Sequence, residues 1–79
     1  MVKGVKHLTI KAVHEKGNIV EMEDGSLWKT IPSDAEKILL WQPGQNISLV
    51  ESEKTIQPDR LINLDTPDRD IVAVNQLFN

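Results

Sequence analysis

The chain contains no cysteine, which excludes disulfide bonds and cysteine-ligated metals as sources of stability. Its 79 residues suffice for one domain, residues 1–79, and a core that buries roughly 60–65% of the unfolded surface. Packing alone must hold such a domain together. With 39% hydrophobic and 27% charged residues, the composition is typical of a globular protein.

Long apolar runs are also missing. No stretch approaches the roughly 20 apolar residues of a membrane-spanning helix, and no apolar segment follows Met1 as in a signal peptide. We therefore expect no membrane span. The chain as written predicts a cytoplasmic location, with an envelope location as the alternative if a signal peptide has been removed.

Positive charge is scarce except at the N-terminus. The net charge of −3 argues against a protein that binds nucleic acid by bulk electrostatic attraction. The first 16 residues nevertheless hold four lysines and one acidic residue. This run is either the solvated face of a first strand or a basic strip that meets an acidic partner. The strip would consist of Lys3, Lys6, Lys11 and Lys16.

Alternation with a period of two and regularly placed turn residues predict several short strands. In the first strand, Leu8, Ile10 and Ala12 share one face. The strands are predicted at His7–Val13, Ile19–Glu23, Leu27–Ile31 and Asn46–Leu49, and two continuous apolar runs predict strands at Leu61–Leu64 and Ile71–Val74.

The hairpin between the second and third strands has the sequence Asp24-Gly25, which favours a two-residue type I′ turn. Such a turn pairs Glu21 with Trp28. Trp28 would then lie on the face opposite to Val20 and the other aliphatic residues of the hairpin.

Ser33 and Glu36 have the spacing of a capping box, which predicts a short helical turn near 33–41. The sequence at 42–45 suits a type II turn, with Gly44 at the position that needs a positive φ. Together these elements predict a mainly β fold. We expect a small SH3-like or OB-like barrel of about five to six short strands with one short helical turn.

No recognisable constellation for catalysis, cofactor binding or metal binding is present. His7 and His14 would lie on opposite faces of one continuous strand and could not bind a metal jointly. The aspartates 65, 68 and 70 lack the turn glycine and graded spacing of a calcium loop. No serine has an activating context, and no glycine-rich phosphate loop is present. We expect no cofactor and no enzyme.

Aromatic residues are few: Trp28, Trp41 and Phe78, with no tyrosine. An SH3-type groove and a single-strand nucleic-acid platform each use several aromatic side chains. The tryptophans therefore either pack in or near the core or form an exposed apolar patch for a protein partner. That patch would consist of Ile19, Trp28 and Trp41.

The chain has a Gly-Ser-x-Trp hairpin at 25–28, a Trp-x-Pro-Gly turn at 41–44 and a Leu-Ile-Asn strand at 61–65. Over about residues 19–75, these motifs resemble a group of small uncharacterised bacterial β-rich proteins. The resemblance implies a compact β fold of bacterial origin, and it implies no catalytic or binding residue.

Two functional hypotheses follow. The preferred one is a small non-catalytic protein-binding or structural module, with an unknown protein partner. The alternative is a nucleic-acid-binding small β-barrel that uses the N-terminal lysines. The dependence of binding on salt concentration distinguishes the two hypotheses, because a nucleic-acid complex weakens steeply with ionic strength and an apolar contact does not.

Overall fold

The computed structural model describes residues 2–52 and 58–78, and the side chains of residues 4–52 and 58–77. The described strands are β1 (Val2–His14), β2 (Ile19–Met22), β3 (Leu27–Thr30), β4 (Asn46–Ser52), β5 (Asp59–Asn63) and β6 (Ile71–Phe78). A 3-10 turn at Glu15–Gly17 follows β1. A second 3-10 turn at Pro32–Asp34 leads into the single-turn helix α1 (Ala35–Ile38).

The six strands form a closed antiparallel barrel in the order β1-β2-β3-β6-β5-β4, with β4 paired to β1. This confirms the predicted small, mainly β barrel with one short helical segment. The last two strands, β5 and β6, pair antiparallel as a hairpin.

The barrel interior is filled by aliphatic side chains that alternate along the strands, together with both tryptophans. The buried hydrophobic residues are Ile10, Val20, Met22, Trp28, Ile38, Trp41, Ile47, Leu49, Leu61, Val72 and Val74. Three polar residues are buried, namely Ser26, Thr30 and Asn63. Thr30 Oγ1 donates to the Gly17 carbonyl oxygen at 2.6 Å, and Asn63 Nδ2 donates to Gln45 Oε1 at 2.8 Å.

The β2–β3 turn has three residues, so the predicted two-residue type I′ turn is wrong. Met22 N donates to the Ser26 carbonyl at 2.9 Å, and Gly25 N donates to the Met22 carbonyl at 3.0 Å. Gly25 has φ 92°. This is a type I turn followed by a left-handed glycine, the usual form of a three-residue hairpin loop.

The longer turn shifts the hairpin register by one residue. Trp28 is opposite Val20, and Leu27 is opposite Glu21. Because side chains alternate between faces, a shift of one residue moves Trp28 from the outer face into the core. The prediction that Trp28 lies away from the aliphatic residues is therefore wrong.

A β-bulge in β1 changes the faces of its last residues. The register shifts between Ile10 and Ala12, so that Val13 packs against the core and Ala12 does not share the face of Ile10. His14, opposite Ile19, then points outward on the same side of the barrel wall as His7. The predicted placement of the two histidines on opposite faces is wrong, because the bulge adds one residue between them.

The capping box is also wrong. The helical segment begins one residue earlier than predicted, with Pro32 in its first turn, and neither N-terminal position has a side-chain cap. Proline favours the first helical position, which places Ser33 inside the 3-10 turn and leaves it exposed. Asp34 Oδ2 instead accepts a hydrogen bond from Ala73 N at 3.1 Å and ties the segment to β6.

The type II turn that follows the helical segment is confirmed. Gly44 has φ 90°, and Gln45 N donates to the Gln42 carbonyl at 3.3 Å.

Candidate functional site

The two ends of the barrel differ in what covers them. At the first, here called the helix end, the connection from β3 to β4 contributes Ile38 and Trp41 to the core. Trp41 Nε1 donates to Asp70 Oδ2 at 3.3 Å. The helical segment also approaches the Glu15–Gly17 turn so closely that a Cβ on Gly17 would collide with the Ala35 carbonyl oxygen.

The opposite end is here called the mouth end. Beyond the apolar core, the inward-facing positions of the strands at this end are occupied by polar residues. Lys6 is opposite Leu49, which faces the interior. Glu51 follows Leu49 by two residues, and Gln76 follows the buried Val74 by two. These side chains therefore meet at the rim of the barrel.

A cleft of about 190 Å³ opens between them and is here called the mouth cleft. Its described lining consists of Lys6, Leu8, Asp24, Ser26, Trp28, Leu49, Glu51 and Gln76. Leu49 and Trp28 are 2% and 3% exposed, so the apolar part of the lining is continuous with the core. Apart from Leu8, the remaining lining is polar or charged. The cleft thus has an apolar floor and a charged rim.

A chain of hydrogen bonds connects the rim to the floor. Ser26 donates to Asp24 Oδ1 twice, from its backbone N at 2.9 Å and from Oγ at 2.6 Å. Trp28 Nε1 in turn donates to Ser26 Oγ at 2.9 Å. The buried indole N–H is thereby satisfied, which keeps the cost of burying it low.

The rim carries both signs of charge. Lys6 Nζ lies 3.6 Å from Glu51 Oε1, and the Lys6 side chain is 66% exposed. The hydrogen bonds from the Ser26 hydroxyl and backbone hold the pKa of Asp24 below its usual value, with a smaller effect from the Lys6 charge. Asp24 therefore stays ionised at neutral pH. The described rim presents two carboxylates and one ammonium group.

The apolar patch predicted from the sequence does not exist on the surface. Trp28 and Trp41 are each 3% exposed. They lie at opposite ends of the barrel, while Ile19 is half-buried at the start of β2. The core interpretation of the tryptophans holds because the corrected register directs Trp28 inward and the helical segment carries Trp41 over the helix end.

The predicted basic strip is divided among separate environments. Lys6 lies at the mouth cleft, whereas Lys11 Nζ lies 3.5 Å from Glu21 Oε2. Lys16 is exposed in the 3-10 turn after β1. The Lys3 side chain lies outside the described residues. Among the described lysines of this run, two of three thus have a glutamate beside them.

Glu21 lies on the outer face of β2 and is engaged twice. Its Oε1 is 2.9 Å from His14 Nε2, and its Oε2 faces Lys11. The hydrogen bond from His14, followed by the effects of Lys11, lowers the pKa of Glu21. Lys11 and Glu21 thus form an ion pair on the outer face of the barrel, as Lys6 and Glu51 do at the mouth cleft.

Sequence reasoning missed Asp24, Glu51 and Gln76 as site residues. The signal for Glu51 was present, because the alternation of Ile47 and Leu49 continues to it. Asp24 was assigned only to the turn, and its place at the rim depends on barrel closure. The described residues contain no cluster of three metal-ligating side chains. In the same residues, no helix has the length and apolarity needed to cross a bilayer.

Comparison with known proteins identifies no relative. No family model matches the chain, and neither a curated protein nor a solved structure does so.

Proposed function

We propose that the protein is a small, non-catalytic, SH3-like module of bacterial origin that binds a protein partner at its mouth cleft. The cleft is the observation that supports this proposal. The mouth cleft joins an apolar floor of Leu8, Trp28 and Leu49 to a rim of polar and charged groups, and a partner side chain can contact both parts. The small size of the barrel and its short helical turn are compatible with an SH3-like fold and with the OB-like alternative.

The polar groups at the cleft support binding more than catalysis. The hydroxyl of Ser26 donates to Asp24 and accepts from Trp28, so its hydrogen-bonding capacity serves the fold. A nucleophilic serine needs a general base that takes its proton, and no histidine belongs to the described lining.

The nucleic-acid alternative has weaker support. Glutamates beside Lys6 and Lys11 offset their charge locally, and the cleft itself carries two carboxylates. A phosphate backbone would meet repulsion at that rim.

The proposal can be tested by selecting ligands for the folded protein from a random-peptide phage library. Bound peptides are then mapped by two-dimensional NMR of the ¹⁵N-labelled protein. The two indole N–H signals make a matched pair of reporters, because Trp28 lines the mouth cleft and Trp41 lies at the opposite end. We expect selected peptides to shift the Trp28 signal and leave that of Trp41 in place.

A parallel titration with fluorescent single-stranded oligonucleotides addresses the alternative. Peptide binding should change little with salt, whereas binding through several phosphate contacts falls by orders of magnitude. Failure to select any peptide that maps to the cleft, or oligonucleotide binding with a steep salt dependence, would overturn the proposal.

A further inference from the structure

We infer that the mouth cleft accepts a basic side chain, lysine or arginine, from the protein partner. This inference rests on the proposed function and specifies the chemistry that the site recognises. Its basis is the size of the cleft, the order of apolar and charged groups along its depth, and the balance of charge at its rim.

The size of the cleft matches one long side chain. Its volume of about 190 Å³ corresponds to about six water molecules of liquid volume. A helix or strand of a partner cannot enter such a space. A single extended side chain can, while the backbone that carries it stays outside the barrel rim.

The order of groups along the cleft matches the two parts of a basic side chain. Leu8, Leu49 and Trp28 form a floor for methylene groups. The carboxylates of Asp24 and Glu51 lie at the charged rim. Lysine and arginine characteristically place an apolar stem on apolar surface and a cation among polar groups.

Other classes of side chain fit less well. An acidic side chain would approach two carboxylates and only one ammonium group of the described rim. A wholly apolar side chain would displace water from Asp24, Glu51 and Lys6 without giving them new partners, which costs free energy. A cation replaces that water with charge-assisted hydrogen bonds.

Lys6 shows that the rim already holds a cation of this type. Its ammonium group lies 3.6 Å from Glu51, lowers the pKa of Asp24 and belongs to a side chain that is 66% exposed. An exposed ion pair of this kind contributes little to stability and is easily rearranged. A partner cation would therefore compete with Lys6 for the same carboxylates.

The competition predicts effects of opposite sign for two rim variants. Lys6→Met removes the internal competitor, keeps the apolar stem, and should strengthen binding of a basic ligand about threefold to tenfold. Glu51→Gln keeps the shape of the side chain, removes its charge, and should weaken binding at least about fivefold.

The Lys11–Glu21 pair supplies matched controls. The distance from Lys11 Nζ to Glu21 Oε2 is 3.5 Å, close to the 3.6 Å of the Lys6–Glu51 pair, and the side chains of the two pairs are exposed to nearly the same extent. Neither Lys11 nor Glu21 lines the mouth cleft. Lys11→Met and Glu21→Gln should leave binding unchanged. Urea unfolding midpoints of all four variants should stay close to that of the wild type, which separates an effect on recognition from an effect on folding.

The probes are three blocked tripeptides, acetyl-Gly-Arg-Gly-amide and its counterparts with leucine or glutamate in the centre. They are titrated into the full-length protein at low salt and followed by the Trp28 and Trp41 indole signals. We expect the arginine tripeptide alone to shift Trp28, with Trp41 unmoved, and the affinity to change in the rim variants as stated.

Two results would overturn the inference and leave the proposed function intact. One is preference for the glutamate tripeptide together with loss of binding in Lys6→Met. The other is a set of library peptides that bind in the cleft without a basic residue while the arginine tripeptide gives no Trp28 shift. A library that yields no cleft-binding peptide would instead overturn the proposed function itself.

Discussion

Each end of the barrel buries one tryptophan to the same extent, but the surroundings of the two indoles differ. Trp41 at the helix end and Trp28 at the mouth end are both 3% exposed. The first is carried by the helical segment that covers its end and donates to Asp70. The second donates to Ser26 beneath a cleft with a charged rim. The two indoles are therefore equally buried in different surroundings.

The two ends differ in the residues that cover the barrel interior. At the helix end, the β3–β4 connection supplies the apolar residues Ile38 and Trp41 to the core. At the mouth end, the inward-facing positions of the strands carry polar or charged side chains, and Lys6 is exposed to solvent. We expect variants at the helix end to change stability and variants at the mouth end to change binding.

The largest effect is expected from Ile38→Ala at the helix end. Ile38 is fully buried, so its truncation should lower the free energy of unfolding by about 2–5 kcal/mol, through lost apolar burial and a residual cavity. Leu39→Ala is the matched control from the adjacent residue, which is 56% exposed, and should cost less than about 0.5 kcal/mol. Urea denaturation measures both. Similar losses of unfolding free energy in the two variants would contradict the burial of Ile38 beneath the helix end.

An intermediate effect is expected from two glycines with nearly the same positive φ. Gly17 has φ 90° and Gly25 has φ 92°, but only Gly17 would place a Cβ against backbone, at Ala35. Gly25→Ala should cost about 1 kcal/mol from the left-handed conformation alone. Gly17→Ala should cost more than about 2 kcal/mol, because the collision adds to that strain. Thermal and urea melts that gave the same loss for both would show that the close approach is unimportant.

The smallest effect concerns pH at the mouth end. The hydrogen bonds from Ser26 lower the pKa of Asp24 in the folded protein. A group with a lowered pKa stabilises the fold above its unfolded pKa of about 3.9, and this contribution is lost as the pH falls through the folded value. Wild-type protein should therefore lose more stability than Asp24→Asn between neutral pH and about pH 3.

The measurement is a series of urea melts of both proteins across that range. Asp68→Asn, at an exposed position before β6, controls for the removal of one negative charge. An equal acid-induced loss in wild type and Asp24→Asn would contradict a role for the ionised carboxylate in stabilising the turn.

Much of the fold could be predicted from local patterns. Alternation identified the strand around Ile47–Leu49, a continuous apolar run identified the strand around Ile71–Val74, and the proline and glycine of residues 42–45 identified a type II turn. These features depend on residues that are neighbours in the chain. The candidate site could not be predicted in the same way, because Lys6, Asp24 and Glu51 come from three separate parts of the sequence.

The sequence alone thus determined the mainly β class, the number of strands and the positions of most turns, because apolar periodicity and the conformational limits of glycine and proline act locally. Only the tertiary structure decided which face each residue occupies. Asp24-Gly25 is compatible with turns of two or three residues, and the three-residue turn places Trp28 against Val20. Barrel closure then brings β1, β4 and β6 around that indole and creates the mouth cleft.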